Sequence, residues 1–359
     1  MSELFGILVV FAPLILVMWL ANLAERNRAR QMPYENMAIF SYVLVVLIYV
    51  GALVVGVALQ GLSLMLEQNP TRLQQLGLPV TDLMQNFDSL AIMGAGIWIP
   101  SVLGLLLLTP WVRRLAARLI PIDPDSPVHA VALALTMLVV INLIATLGIG
   151  LGNLSESIQA QTSAEGGNQS LATNISLWGQ QIITALLALV GVGWAVRRGW
   201  GQSLQRLGIT ALTGRRLLIG VGLGIAMVPV VMVVEYVANT LLGVGVDPDV
   251  EALTEQLIGP LFNSPFGILT LGLAAALGEE TIFRGALQPR FGLIFTAVLF
   301  ALLHSNYGIT ISTLVVFVLG CVLGLVRLRF STSTSMVVHA VYNMALGLIA
   351  YLNLSILNT

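Results

Sequence analysis

The sequence predicts an all-α, polytopic transmembrane helical bundle of about ten membrane helices. Three observations predict it: an apolar composition, a succession of apolar runs long enough to span a bilayer, and arginines gathered in alternate loops. Of 359 residues, 57% are hydrophobic and only 9% are charged, and the mean hydropathy is +0.93. A soluble domain carries about 25% charged residues, so the chain is an integral membrane protein, not the two or three soluble domains its length would suggest. Disorder is excluded at this apolar fraction. The 16 basic residues, every one an Arg, and the 17 acidic residues nearly cancel, which excludes a basic surface and with it a nucleic-acid partner. A single Cys, Cys321, excludes a disulfide framework and a cysteine metal site.

About 20 apolar residues, rising 1.5 Å each, cross the hydrocarbon core as a helix. This test places spans at 4–23, 38–59, 90–110, 129–151, 178–196, 217–242, 266–288, 292–304, 310–326 and 334–354. The first has an acidic flank at Glu3 and its Arg cluster follows the apolar run, so it is expected to remain in the mature chain and not to be cleaved as a signal peptide. Polar stretches 60–89 and 152–177 flank the third and fourth spans on one side of the membrane. The run Ser163, Ala164, Glu165, Gly166, Gly167, Asn168 reads as a flexible loop. The Asn-x-Ser triplets at Asn153, Asn168 and Asn174 matter only in a glycosylating pathway and are read as chance. His129 opens the fourth span behind Asp125 and Pro127 and reads as interfacial, as does Glu235 near the far end of the sixth. Trp98, Trp111, Trp178, Trp194 and Trp200 stand mostly near span ends, where interfacial anchors belong. The eighth span is short, and the turn Ser305, Asn306, Tyr307, Gly308 makes it half of a hairpin that need not reach the far interface. Glycines four apart, Gly148 with Gly152, Gly220 with Gly224 and Gly320 with Gly324, allow close helix approach. No internal repeat is found.

Arginine placement checks the count, because positive residues concentrate in cytoplasmic loops. One set of loops holds every Arg except Arg72 and Arg284; the opposite set holds Glu67, Asp82, Asp88, Glu156, Glu165, Asp247, Asp249, Glu251 and Glu255. Both termini are therefore expected outside the cytoplasm, in a bacterial plasma membrane.

Charged groups at bilayer depth cost about 2.5 to 3.5 kcal/mol each on insertion scales and mark functional sites by default. The seventh span contains Gly278, Glu279, Glu280, Thr281, Ile282, Phe283, Arg284 and Gly285; the eighth ends at His304; the tenth carries His339 and Asn343. Glu280 and Arg284 are four apart on one helix face and can neutralise each other, which leaves Glu279 about 100° round the helix and comparatively free. His339 and Asn343 are also four apart and share a face. Two His and one Glu, here Glu279, His304 and His339, also form the ligand set of a catalytic zinc with an open position. The contiguous His-Glu-x-x-His helix of zinc proteases is absent, as is a Gly-x-Ser-x-Gly nucleophile motif.

Glu279-Glu280-x-x-x-Arg284, Phe300-x-x-x-His304 and His339-x-x-x-Asn343, on three membrane helices in that order, resemble the CPBP intramembrane proteases. That family includes CAAX prenyl endopeptidases and bacteriocin-processing and self-immunity proteins. The resemblance covers about residues 266–350. It divides the chain into amino-terminal membrane helices of unknown role, 1–215, and a protease core, 216–359. It implies an endopeptidase in which Glu279 acts as general base on a water that His304 helps to hold, Glu280 pairs with Arg284, and His339 with Asn343 hydrogen-bonds the developing oxyanion. Its members are often called metalloproteases, so zinc stays open as a cofactor. The substrate implied is a membrane protein or a lipidated, CAAX-like peptide, met among membrane lipids. Two other readings compete: a non-catalytic membrane scaffold or immunity factor, and a proton-coupled transporter with Glu279, Glu280 and His304 as its relay.

Overall fold

A computed structural model describes residues 2–68, 87–165, 169–243 and 247–357, and the regular structure among them is helical. Among these residues, nine helices are long and apolar enough to cross a membrane, and a tenth apolar helix, Leu293–Leu303, is shorter. This is the expected count, with the expected exception.

In chain order the helices are α1 (Ser2–Ala29), α2 (Glu35–Gln68), α3 (Phe87–Leu107), the short α4 (Pro110–Ala116), α5 (Pro127–Ile149), α6 (Leu151–Glu165), α7 (Gln169–Gly191) and α8 (Trp200–Leu207). They are followed by α9 (Gly214–Leu242), α10 (Pro248–Phe262), α11 (Pro265–Glu279), which continues through a π-helical turn (Glu280–Leu287) into α12 (Gln288–Phe291), then α13 (Leu293–Leu303), α14 (Ile311–Arg329) and α15 (Thr332–Leu357). Two apolar clusters organise them. Val17, Ala21, Val45, Tyr49, Val131 and Val190 join α1, α2, α5 and α7; Val228, Val231, Leu323, Val338 and Tyr342 join α9, α14 and α15. α7 and α15 both pack along α11, so the helix with the three charges lies between the two groups.

The stretch 152–177, expected as a loop, is largely helical. Gly150, at φ +85°, ends α5, and the chain restarts at once as α6. That helix is polar on average but places Leu151, Leu154 and Ile158 on one face, against Val250 and Leu253 of α10. Its amphipathic spacing outweighs its composition. Gly166, Gly167 and Asn168 lie outside the described residues, as do residues 69–86 of the other polar stretch, whose beginning extends α2 to Gln68. α7 accordingly starts at Gln169, well before the expected 178. His129 acts locally, its Nδ1 accepting the Asp123 amide at 2.9 Å at the start of α5.

The paired glycines are contact points. A Cβ at Gly220 would lie 2.7 Å from a Val337 methyl, and one at Gly224 would lie 2.8 Å from both the Val338 carbonyl oxygen and Val341 Cβ. α9 thus touches α15 backbone to backbone beside His339. Gly224→Ala is expected to destabilise the bundle by about 1 to 3 kcal/mol through overpacking, read as a lower midpoint of thermal unfolding in detergent, with Gly222→Ala, whose Cβ meets nothing within 4 Å, as the neutral control.

Candidate active site

α11 begins cleanly: Ser264 accepts the Gly267 amide from the N-cap, and Pro265 fills the first turn. It then carries Glu279 at its last residue and passes into the π-helical turn that holds Glu280 and Arg284. Single π turns inside α-helices are frequent at functional sites, because they turn side chains out of the regular register. Glycines frame this segment. A Cβ at Gly278 would stand 1.9 Å from Gln181 Oε1, and one at Gly285 would stand 2.9 Å from Leu207 Cδ2, so α7 and α8 press on the helix where no side chain intervenes.

Glu280 and Arg284 are 0% and 1% exposed and form the expected ion pair, Arg284 Nε to Glu280 Oε2 at 3.4 Å. The rest of the arrangement disperses the charge. Arg284 Nη2 donates to the Gly320 carbonyl at 3.3 Å, and its guanidinium carbon sits 4.2 Å from the centroid of the Phe300 ring, a cation–π contact. Glu280 accepts from Ser335 Oγ at 2.5 Å and from His339 Nδ1 at 3.0 Å. These partners offset part of the cost of removing the two charges from water, although Arg284 Nε and Nη1 are buried without a hydrogen-bond partner.

Glu279 has a different environment. Its side chain is 15% exposed, and its Oε2 stands 4.0 Å from Nε2 of both His304 and His339. Three helix ends and faces therefore reach one level, as the shared site requires. His304 caps α13, where its Nδ1 donates to the Phe300 carbonyl at 2.8 Å, and its ring lies parallel to that of Tyr307, 5° apart at 6.0 Å. His339 commits its Nδ1 to Glu280. Both imidazoles thus have one nitrogen locked and present the other to Glu279. Asn343 shares the α15 face of His339 but directs its Nδ2 at the Leu271 carbonyl of α11, 3.4 Å away.

One contact lies outside the sequence motifs. Gln181, buried in α7, donates Nε2 to Glu279 Oε1 at 3.3 Å. With the fifth span begun at 178, Gln181 reads as an interfacial residue; with α7 begun at Gln169 it is mid-helix, where an uncharged polar group is as conspicuous as a charged one. Ser335 carries no charge either, so the cost of burying ionisable groups does not point to it. From the amino-terminal part, Asn142 and Thr146 of α5 also hydrogen-bond Ser305 Oγ, at 3.0 and 3.1 Å, beside His304.

Glu279, His304 and His339 do not fit a metal as they stand. Atoms sharing a tetrahedral zinc at 2.0 to 2.1 Å lie about 3.3 Å apart, whereas the carboxylate oxygen is 4.0 Å from each imidazole nitrogen. Among the described residues no group of three His, Cys, Asp or Glu is placed to hold one.

Residues 261–345 match the family model described as Type II CAAX prenyl endopeptidase Rce1-like, which implies a peptidase and supports the resemblance to the CPBP proteases. The match takes in all seven of the motif residues. No curated protein and no solved structure matches the chain.

Arg284→Met leaves the Glu280 carboxylate buried beside an apolar side chain. It is expected to cost about 3 to 5 kcal/mol of stability, measured by denaturant unfolding of the purified protein; a loss below about 1 kcal/mol, the level of exposed pairs, would show that the pair is not the buried anchor described.

Proposed function

We propose that the protein, whose residues 261–345 carry a CAAX-endopeptidase-like segment, hydrolyses a peptide bond of a membrane-embedded or lipid-anchored substrate by water activation at Glu279. The observation that carries this reading is the placement of Glu279 Oε2 4.0 Å from two imidazole nitrogens whose partner nitrogens are already engaged. That separation is too long for a direct hydrogen bond, but a water about 2.8 Å from the carboxylate and from one imidazole fits it.

In the proposed reaction Glu279 takes a proton from that water while His304 Nε2 holds it, and the water oxygen attacks the scissile carbonyl carbon. The carbonyl oxygen becomes an oxyanion, hydrogen-bonded by His339 and Asn343. Because Nδ1–H of His339 is given to Glu280, its Nε2 can donate only from a doubly protonated ring, for which Glu280 is the counter-ion. Collapse of the tetrahedral intermediate breaks the C–N bond, and the proton held by Glu279 passes to the leaving amine. No covalent enzyme intermediate forms. Gln181 is assigned a positioning role: by fixing Oε1 it turns Oε2 toward the imidazoles. The amino-terminal helices, residues 1–215, thereby serve the site through α7 and α5. With both termini outside a bacterial plasma membrane, the Arg-bearing side is cytoplasmic, the face at which lipidated tails of cytoplasmic proteins are anchored.

Zinc held by Glu279, His304 and His339 is the second reading. It is favoured by the engaged Nδ1 atoms, which is how metal-bound imidazoles are usually oriented, and it requires the three ligands to close by about 0.7 Å. The chemistry supplied would be polarisation of a bound water or carbonyl.

The test is cleavage of a library of membrane and prenylated peptides by the protein in bilayers. Glu279→Ala is expected to lower kcat/KM by about 10² to 10⁴, with chelator-treated wild type unaffected; activity lost to chelator and restored by zinc would favour the second reading. Cleavage retained by Glu279→Ala would overturn Glu279 as the base, and no cleavage of the library by the wild type would instead leave a scaffold or a carrier. Gln181→Leu is expected to lower kcat by about 100-fold with little change in KM, since it disturbs placement of the base and not substrate binding.

A further inference from the structure

A pocket that does not include Glu279 is strongly basic. It holds about 440 Å³ and is lined by Arg197, Arg198, Gln202, Gln205 and Arg206. The chain enters it through a tight reversal after α7, at Gly193 with φ +97°. A Cβ there would lie 2.9 Å from both Arg197 Nε and Asn22 Oδ1, so only glycine closes the turn.

Each arginine is fixed by a neutral acceptor. Arg197 Nε donates to Asn22 Oδ1 at 2.8 Å, Arg198 to the Val192 carbonyl, and Arg206 Nη1 to the Gly285 carbonyl at 3.1 Å. None of the three takes part in the ion pairs found among the described residues. Burial, then Arg198, lowers Arg197 to about 10, with Glu25 acting in the other direction and Arg290 adding to the lowering; burial, then Arg290, lowers Arg206 to about 10, with Arg198, Arg327 and Arg197 adding to the effect. They therefore remain charged at neutral pH while repelling one another. Held guanidinium groups with unspent N–H donors and a cavity between them whose lining carries no acidic residue are the components of a phosphate site.

We propose that this pocket binds a phosphate-bearing anion, supplied by the headgroup of an anionic membrane lipid. Two features favour the lipid over free phosphate. The pocket lies between the end of one membrane-spanning helix, α7, and the start of another, α9. Trp200, which opens α8 next to it, is 55% exposed and packs edge-on against Trp194 at 5.6 Å, as expected of a side chain at headgroup level. Basic clefts between transmembrane helices recognise anionic headgroups in this way. Arg206 ties the pocket to the neighbour of Arg284, so the ligand would brace α8 against the π-helical turn.

The test does not depend on proteolysis. The full chain, purified in a neutral detergent, is melted with dihexanoyl phosphatidylglycerol, with dihexanoyl phosphatidylcholine and with inorganic phosphate. Phosphatidylglycerol is expected to raise Tm in a saturable manner, phosphatidylcholine is not, and the response should weaken with added salt. Gln205→Glu places a carboxylate at the pocket mouth, on an exposed residue, without removing any of the arginine contacts; it is expected to weaken the phosphatidylglycerol response by about tenfold or more, as is Arg198→Gln. An equal response to inorganic phosphate would uphold the anion site and overturn the lipid source. No response to either anion, or a full response in both variants, would overturn the site.

Discussion

A fully buried carboxylate and a fully buried guanidinium, four residues apart on a largely apolar helix, set the constraint that the rest of the bundle meets. Neither Glu280 nor Arg284 can be left without partners in a medium that offers no water, and the partners come from several directions: Ser335 and His339 on α15, the Gly320 carbonyl on α14, and the Phe300 ring on α13. Satisfying the pair fixes three helices relative to α11. His339 is the hinge of this arrangement, because the nitrogen it commits to Glu280 decides where its other nitrogen looks. The structural carboxylate thus aims the imidazole toward the neighbouring carboxylate.

Close approach by α7 and α8 depends equally on what is missing from the helix. Side chains at Gly278 or Gly285 would collide with Gln181 or Leu207. Without those contacts Glu279 would lose the amide that restrains one of its oxygens, and the π-helical turn would lose its support. The motif residues lie between 279 and 343, but their geometry is imposed partly by helices from the first half of the chain.

Much of this is legible in residue spacing. The separation of four between Glu280 and Arg284 implies the pair and leaves Glu279 free; the shortness of the eighth span implies the hairpin. Other features leave no such mark. A π-helical turn differs from an α-turn in which amide meets which carbonyl, and nothing in Glu-Thr-Ile-Phe-Arg-Gly-Ala-Leu announces it. α6 is obscured because average polarity conceals an apolar face of Leu151, Leu154 and Ile158. Gln181 is obscured because helix boundaries read from sequence err by several residues, and depth in the membrane is what makes a neutral polar residue informative. Asn343 shows the limit of shared-face reasoning: the face is right, but its amide reaches a backbone carbonyl of α11.

The hairpin of α13 and α14 has a consequence for how the chain is made. α13 has 11 residues, about 16 Å of helix against about 30 Å of hydrocarbon, so the backbone from His304 to Thr310, a single 3-10 turn (Ser305–Tyr307) with irregular flanks, reverses at a depth where lipid offers few hydrogen bonds. Protein must supply them: Asn142 and Thr146 engage Ser305, while Thr310 and Thr313 close on the carbonyls of Tyr307 and Gly308. The hairpin therefore has no stable place in lipid until α5 stands beside it. Synthesis from the amino terminus delivers α5 first, and the order of the helices in the gene is in this sense an assembly sequence, with the early helices acting as the seat into which the late, lipid-averse turn is received.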